Sequence, residues 1–285
     1  MAHRVQLFNI RQSMQNKKFE IFHYRDNKPE NIGVHNHNFY ELYFFLGGKV
    51  QFSVESSHYS MEKGDILLIN PIELHQAQIE QDKIYERMVL WMDCQYLSEL
   101  GGKNINLAEC FDRKNPKHTN FIRPDNLQRT YLQTLLEKLN KEFYDNKPDS
   151  KIYAETLLIQ FMIEINRLVR KSEDTSYIEE EQDLIAEVLT YIGDHFHENL
   201  TLEKLASEFF VSKYYLSHEF KRRVGTSIYR YIIFRRLMQA REMLLSGVAP
   251  GDVCESCGFG DYANFYRAFK AEYHISPSDF VQSRK

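Results

Sequence analysis

Apolar and polar residues alternate along much of the first third of the chain, from about residue 19 to residue 93. Such alternation is typical of β-strands with one buried face, because successive side chains point to opposite sides. In residues 35–45 the odd positions would share one face of a single strand: His35, His37, Phe39, Glu41, Tyr43 and Phe45. Beyond the turn residues Gly47 and Gly48, further strands are expected at 49–54, 66–69 and 85–92. The pattern predicts a β-rich domain.

The spacing of apolar residues changes to that of a helix after Pro124. Apolar residues then recur at every fourth position, which is typical of one stripe on an amphipathic helix. They are Leu127, Tyr131, Leu135, Leu139 and Phe143. A second run covers about 151–170, with Ile152, Leu158, Phe161, Met162, Ile165, Leu168 and Val169. We expect both helices to pack on the β-rich domain and to contribute to a homodimer contact.

The last third of the chain consists of helical segments separated by short turns. N-caps are expected at Thr201, Ser212 and Asp261, and Pro277 occupies a first-turn position. The seven expected helices are 183–196, 201–209, 212–224, 227–245, 250–257, 261–273 and 277–282. The acidic stretch 173–182 predicts a linker. The fold class is therefore α+β and multidomain, with a β-rich domain and flanking helices over 1–172 and an all-α seven-helix domain over 183–285.

Composition and charge narrow the possible classes of protein. The 285 residues are 43% hydrophobic, which is enough for about two globular domains. Since no run of about 18 uncharged apolar residues occurs, we expect neither a membrane span nor secretion. Four scattered cysteines give no disulfide framework, which favours the cytoplasm. The net charge is −4, but residues 213–241 carry eight Lys or Arg against the single acid Glu219, a basic window suited to phosphates.

One sequence motif occurs twice in the helical domain, at an offset of 49 positions (216 and 265, for example). Leu216, Phe220, Lys221 and Ser227 correspond to Phe265, Phe269, Lys270 and Ser276. In each copy a short helix is followed by a tight turn and a second helix with inward apolar positions. In the second turn, Gly258 supplies a backbone conformation that is costly for other residues. This is the layout of a helix-turn-helix, whose second helix enters the major groove of DNA.

At these residues the chain resembles the AraC/XylS family of bacterial transcription regulators, over about 183–280. The residues that carry the resemblance are Leu202, Leu205, Ala206, Ser212, Leu216, Phe220, Lys221, Gly225, Arg236, Ala240, Leu244, Leu245, Gly258, Phe259, Phe265, Phe269, Lys270, Ser276 and Pro277. Departures from the family pattern are Cys254, His274 and Val281. The resemblance implies a DNA-binding regulator, an activator by expectation, that contacts RNA polymerase.

In the first copy, Tyr215, Leu216 and Phe220 are the candidates for the buried side of the second helix. The residues expected to face DNA are those on the other side of each second helix. They are Ser212, Lys213, Tyr214, Ser217, His218 and Lys221 in the first copy, and Tyr262, Ala263, Asn264, Tyr266, Arg267 and Lys270 in the second. Arg267 and Asn264 are the candidates for base edges, because their side chains can bond guanine and adenine bidentately. Lys221, Arg222, Lys270 and Arg236 are expected at phosphates. That these are only solvated helix faces remains the alternative.

The β-rich domain resembles a cupin at His35, His37, Glu41, Gly64-Asp65, Pro71 and His75, a pattern found in the sensor halves of many family members. The resemblance implies an antiparallel β-barrel that encloses one ligand. In cupin enzymes the corresponding three histidines and glutamate bind a divalent metal, whereas sensor domains keep part of the pattern as a polar pocket. We expect the sensor pocket, with no metal and no cofactor; purely structural histidines and a metal-dependent cupin enzyme fused to a DNA-binding domain are the alternatives.

The expected effector is a small molecule, and the resemblance favours a carbohydrate. The residues expected to bind it are His35, His37, Glu41, Tyr43, His75 and Trp91. An indole stacks on the apolar face of a sugar, while imidazoles and a carboxylate can bond hydroxyl groups. The sequence thus predicts a cytoplasmic, homodimeric regulator of transcription that responds to a small molecule.

Overall fold

The computed structural model describes residues 13–71, 73–81, 83–102, 104–113, 115, 117–171 and 184–282. The chain divides between residues 179 and 180 into two compact units, a β-rich unit and a helical unit. The predicted linker, 173–182, lies outside the described residues, so the domain boundaries stay a prediction. Within the described part of the chain, every helix is too short or too polar to span a bilayer.

The β-rich unit contains two antiparallel sheets, which confirms the predicted fold class of this region. The larger sheet has the strand order β1-β8-β3-β6-β9, and the smaller has the order β2-β7-β4-β5. The strands are β1 (Phe19–Asp26), β2 (Ile32–His35), β3 (Tyr40–Gly47), β4 (Val50–Val54), β5 (Ser57–Ser60), β6 (Ile66–Ile69), β7 (His75–Ile79), β8 (Tyr85–Met92) and β9 (Phe121–Ile122).

Alternation along β3 divides its side chains between two apolar clusters. Tyr43 and Phe45 belong to the cluster between the two sheets, together with residues of β4 such as Phe52. Leu42 and Phe44 belong to the cluster that the larger sheet forms with the helices of this unit. The larger sheet is therefore buried on both faces, and its inner face is directed at the smaller sheet.

The expectation of one continuous strand over 35–45 is wrong. β2 ends at His35 in the smaller sheet, and β3 begins at Tyr40 in the larger sheet, so residues 36–39 connect the two sheets. His37 donates its Nδ1 hydrogen to the carbonyl of Phe39, 2.9 Å away. The Phe39 carbonyl thus accepts a local side-chain hydrogen bond in place of a backbone bond from a neighbouring strand. The alternation survives the break, because His35, His37, Glu41 and Tyr43 still converge on one cavity.

Three helices complete the β-rich unit: α1 (Cys94–Leu100), α2 (Asn126–Phe143) and α3 (Ser150–Lys171), with a short 3-10 helix at Glu109–Phe111. The predicted stripe on α2 is only partly buried, since Leu127 is 84% exposed and Tyr131 is 43% exposed. Four residues turn an α-helix by about 40° more than one full turn, so strict fourth-position spacing drifts off the buried face. That face is formed by Leu132, Leu135, Leu136, Leu139 and Asn140. On α3, Ile152 is likewise exposed.

The helical unit has seven helices among residues 184–282, as predicted. They are α4 (Leu184–His195), α5 (Leu202–Glu208), α6 (Lys213–Val224), α7 (Ile228–Leu245), α8 (Pro250–Ser256), α9 (Tyr262–Tyr273) and α10 (Pro277–Gln282). The predicted N-caps are confirmed, because the side chains of Thr201, Ser212 and Asp261 each accept a hydrogen bond from a backbone N–H three residues on. The first position of the predicted first helix, Asp183, lies outside the described residues.

Candidate ligand cavity and nucleic-acid interface

A cavity of about 220 Å³ lies in the β-rich unit, lined by residues of both sheets. The structure brings together all six residues that were expected to bind an effector: His35, His37, Glu41, Tyr43, His75 and Trp91 all line it. The other lining residues are Tyr24, Ile32, Gly33, Val34, Phe52, Arg87 and Val89. The cavity thus combines one polar cluster with aromatic and aliphatic walls.

The three cavity histidines are oriented by backbone carbonyls. The Nδ1 atoms of His35, His37 and His75 lie 2.9, 2.9 and 3.1 Å from the carbonyl oxygens of Gly33, Phe39 and Glu73, respectively. A carbonyl oxygen only accepts hydrogen bonds, so in each ring the hydrogen lies on Nδ1. In a neutral ring, Nε2 then carries a lone pair and can accept a hydrogen bond or bind a metal. Burial lowers the pKa of His35 to about 3, so this ring is neutral at pH 7.

Glu41 lies at the centre of the polar cluster. Its Oε2 atom is 2.6 Å from Nε2 of His37 and 3.4 Å from Nε2 of His75. Burial acts to raise the pKa of Glu41, but its contacts with His37 and His75 outweigh the burial and hold that pKa well below its usual range. An ionised carboxylate and a neutral imidazole with its hydrogen on Nδ1 would place two lone pairs in contact. One proton or one cation therefore has to lie between Glu41 and His37.

These side chains fit a metal ion. Among the described residues, His37, Glu41 and His75 form a group whose ligand atoms all lie within 4.8 Å of one another. Two imidazoles and one carboxylate suit divalent transition metals, and metal-binding histidines commonly donate their other ring hydrogen to a backbone carbonyl. Both histidines of this group do so. The donor set is therefore compatible with a metal ion, in addition to a polar organic ligand.

The indole of Trp91 forms part of the aromatic wall. Its ring centroid lies 4.6 Å from that of Phe39 and 4.9 Å from that of Phe22, which meets it edge-on. Trp91 pairs with Glu41 across β3 and β8, so the indole and the carboxylate occupy neighbouring positions on the inner face. The packing holds the ring in one orientation, which suits it to contact a flat apolar ligand face.

Arg87 is a cavity residue that the sequence analysis missed. It is buried, forms an ion pair with Asp26, and its guanidinium lies 4.2 Å from the ring centroid of Tyr85 and 4.8 Å from that of Tyr24. The hydroxyl of Tyr85 in turn bonds that of Tyr43, and burial raises the pKa of Tyr85 to about 12. The available signal was a charged residue at an inward position of β8, two residues from Val89 and four from Trp91.

In the helical unit, the predicted DNA-facing residues of α6 are exposed. Leu216 and Phe220 are buried in the core, as predicted, but Tyr215 is 52% exposed and does not belong to that core. The error arose because Tyr215 precedes Leu216 directly, and adjacent residues on a helix point about 100° apart. The exposed residues at the N-cap and along the helix are Ser212, Lys213, Tyr214, Ser217, His218, Lys221 and Arg222.

On α9, Phe265 and Phe269 are buried, and the predicted DNA-facing residues lie on the other side. Tyr262, Ala263, Asn264, Arg267 and Lys270 are exposed, and Tyr266 is half-buried. The side chains of Asn264 and Arg267 bond each other, with the Arg267 Nη2 atom 2.6 Å from Oδ1 of Asn264. The Asn264 amide also donates to the carboxylate of the N-cap, Asp261. The two candidate base-reading side chains therefore form one hydrogen-bonded row.

Arg236, expected at a DNA phosphate, instead contacts the protein itself. Its Nε and Nη2 atoms each donate to a backbone carbonyl at a distance of 2.7 Å, to Phe196 and Glu198 respectively. The side chain is half-buried on α7, and burial lowers the pKa of its guanidinium. Two of its donor atoms are therefore engaged inside the unit, and the phosphate contact stays a prediction.

Two family models match the chain. The model described as an AraC-like ligand binding domain matches residues 18–162, and the model described as a helix-turn-helix domain matches residues 205–283. Among curated proteins, the HTH-type transcriptional activator RhaS of Escherichia coli O139:H28 (strain E24377A / ETEC) is 25% identical over 251 residues, which cover 88% of this chain and 87% of that protein.

Two solved structures are also similar. The C-terminal domain of AraT, a response regulator from Geobacillus stearothermophilus, is 30% identical, with a TM-score of 0.35, over 35% of this chain and 85% of that chain. ToxT from Vibrio cholerae strain SCE256, solved with an unsaturated fatty acid bound, is 14% identical, with a TM-score of 0.41, over 94% of this chain and 96% of that chain.

Proposed function

The chain belongs to the AraC family of transcription regulators, and from this premise we propose that it binds DNA sequence-specifically and that a small molecule in the cavity controls this binding. The observation that carries the proposal is the doubled helix-turn-helix in one unit. Both second helices, α6 and α9, bury two large apolar residues and expose polar and cationic side chains. Such faces suit major-groove contact, and cations supply phosphate affinity.

The two halves of the helix-turn-helix pair would contact successive major grooves on one face of the duplex, about 34 Å apart. Arg267 would read base edges, and Lys221, Arg222 and Lys270 would contact phosphates. Effector binding would shift the population of the chain towards or away from the state that holds DNA. We propose further that the chain acts in the cytoplasm as a homodimer, and that it is an activator that contacts RNA polymerase. The role of activator is supported by the name of the relative RhaS, a transcriptional activator.

For the effector we propose a carbohydrate. The carboxylate of Glu41 and the Nε2 atom of the neutral His35 ring accept hydrogen bonds, so the polar cluster favours a ligand that brings hydroxyl donors. The indole of Trp91 lies in the cavity wall and offers a flat apolar surface to the carbon–hydrogen face of a sugar ring. A cavity of about 220 Å³ suits a small ligand.

Two measurements test the regulator and its effector separately. Selection from a random pool of duplexes by the purified chain tests DNA binding, and enrichment of one sequence is expected. Thermal unfolding of the chain with a panel of monosaccharides tests the effector, and one sugar is expected to raise the midpoint. Glu41→Gln and Trp91→Ala should remove that rise, whereas His58→Ala, which changes a histidine outside the cavity lining, should keep it. No rise with any sugar would refute the carbohydrate, and no enriched duplex would refute the regulator.

A metal-binding cavity is the second candidate, because the contact between Glu41 and His37 requires a proton or a cation. His37, Glu41 and His75 would hold the ion, which would supply a Lewis-acid site for an oxygen ligand. Elemental analysis of the purified chain tests it: stoichiometric iron, manganese or zinc that is lost in His37→Ala and His75→Ala would favour a metal sensor or a metal-dependent enzyme. A chain free of metal after dialysis against these ions would exclude this candidate.

A further inference from the structure

The connection between α4 and α5, residues 196–201, is held from the side of α7. Arg236 on α7 donates to the carbonyls of Phe196 and Glu198, each over 2.7 Å. These carbonyls lie just beyond the C-terminal end of α4, where a cation is favoured by the unpaired carbonyl groups of the helix. Arg236 therefore attaches the first helix-turn-helix region to the long helix that joins it to the second.

The same connection is held from the side of the second helix-turn-helix. Gly258, in the turn between α8 and α9, has a φ of +75°, and a Cβ atom at this position would lie 2.2 Å from the carbonyl oxygen of His197. The next residue, Phe259, is buried, and its ring centroid lies 5.9 Å from the guanidinium of Arg236. Arg236 on α7 and Gly258 in the turn between α8 and α9 thus both contact the connection between α4 and α5.

A comparison of the two turns identifies why a glycine is needed at 258. The backbone bond from Val211 to Ala206 in the first turn corresponds to the bond from Phe259 to Cys254 in the second, so Phe210 is the structural equivalent of Gly258. Phe210 also has a positive φ, +54°, but its side chain is 95% exposed. The left-handed backbone alone therefore tolerates a large side chain. What excludes one at 258 is the backbone of His197.

We propose that Arg236 and Gly258 are positioning residues that fix the separation of the two DNA-reading helices, α6 and α9, and thereby set the spacing of the two half-sites that the chain recognises. The inference rests on the proposed function. It follows from mechanics: one extra base pair moves the second half-site by about 3.4 Å and rotates it by about 35°. A unit whose two halves are held rigidly cannot follow this change, whereas a loosened unit can.

The test uses a duplex selected from a random pool by the wild-type full-length chain, and versions of it with one or two base pairs inserted between the two protected halves. Wild type should lose about tenfold in affinity on each insertion, equivalent to about 1.4 kcal/mol. Arg236→Gln, Arg236→Lys and Gly258→Ala should bind the original duplex more weakly and lose less than about threefold on insertion. Arg230→Gln, which changes an exposed arginine of the same helix, is the matched control and should keep the wild-type profile.

Salt dependence separates this role from a direct phosphate contact. A lost phosphate contact lowers the slope of log affinity against log salt by about 0.9 and spares the lysine variant. A lost positioning contact leaves the slope unchanged and affects Arg236→Lys as well, because the lysine ammonium is a single nitrogen on a flexible stem and lacks the rigid planar fork that holds both carbonyls. Variants that keep the wild-type spacing profile, or that lose affinity equally at every spacing with a lower slope, would overturn the proposal. If Arg236→Gln fails to fold, the lysine variant gives the same decision; a wild-type chain that selects no duplex would overturn the proposed function itself.

Discussion

The two helix-turn-helix regions share a backbone but differ in what their outer faces carry. On α6, Lys213 pairs with Glu203 and Arg222 pairs with Glu219, so acidic partners neutralise two cations. On α9, Asn264 and Arg267 bond each other and the N-cap Asp261. The common geometry comes from equivalent buried phenylalanines and N-caps, while the exposed residues are free to differ. Equivalent positions in a repeat can therefore have the same structural role and different functional roles.

We expect the difference to divide the work of recognition. The hydrogen bonds among Asp261, Asn264 and Arg267 orient the Arg267 guanidinium before it contacts a base. This preorganisation favours direct base recognition by α9. Lys213 and Arg222 first have to leave an acidic partner, so their contacts give little net energy and no base preference, which favours phosphate contact by α6.

The largest expected effect tests the shared core. Phe220→Ala and Phe269→Ala each remove a fully buried ring at equivalent positions, and each should lower the free energy of unfolding of the helical unit by about 3–5 kcal/mol. Far-UV circular dichroism during urea unfolding reports on the helices of both units, and fluorescence of Trp91, the single tryptophan, identifies the part of the transition that belongs to the β-rich unit. A loss below about 1 kcal/mol in one variant only would contradict equal roles for the two cores.

The next effect tests the divided roles. Arg267→Ala should weaken binding to the selected duplex by about 1–3 kcal/mol and leave binding to random duplex nearly unchanged. His218→Ala changes the equivalent position on α6, 49 residues earlier, and should cost less on the selected duplex. Fluorescence anisotropy on both duplexes measures the four affinities. Equal losses on both duplexes for Arg267→Ala would make that residue a phosphate contact.

Sequence was a good guide to the helical unit because its signals are local. Caps at Ser212 and Asp261 and apolar spacing around Phe220 and Phe269 depend on neighbours along the chain, and the observed helix ends agree within one or two residues. The contacts of Arg236 inside the unit were not predicted, because its partners, Phe196 and Glu198, lie about 40 residues away in sequence and offer only backbone carbonyls. No side-chain pattern in the sequence reveals a carbonyl acceptor.

In the cavity, too, the sequence predicted the local pattern but not the contacts between residues that are distant along the chain. Alternation placed His35, His37 and Glu41 on one side even though the strand breaks between them, because the connection keeps their side chains directed inward. The chain crossing at 36–39 and the burial of Arg87 were not predictable, because both depend on how two sheets face each other. Arg87 is stable in the interior through Asp26 on the neighbouring strand β1, a partner that only the strand register identifies.

A smaller effect is expected at two equivalent lysines, Lys221 on α6 and Lys270 on α9. Each alanine variant should weaken binding to selected and random duplexes by a similar factor and reduce the salt slope by about 0.9. Binding titrations at several salt concentrations measure both quantities. If Lys270→Ala spared the random duplex, this lysine would take part in sequence reading, and the division of roles between the helices would have to include it.

The smallest effect concerns the two turns. Phe210→Gly removes the strain of a positive φ, worth about 1–2 kcal/mol for a non-glycine residue, and loses little packing because the ring is exposed. The greater freedom of glycine in the unfolded chain offsets about 0.4–1 kcal/mol of that gain. The variant should therefore be more stable by about 0.5 kcal/mol in urea unfolding. Phe210→Ala keeps the strain and should show no gain; if it gained as much as the glycine variant, the exposed ring rather than the backbone would be the source of instability.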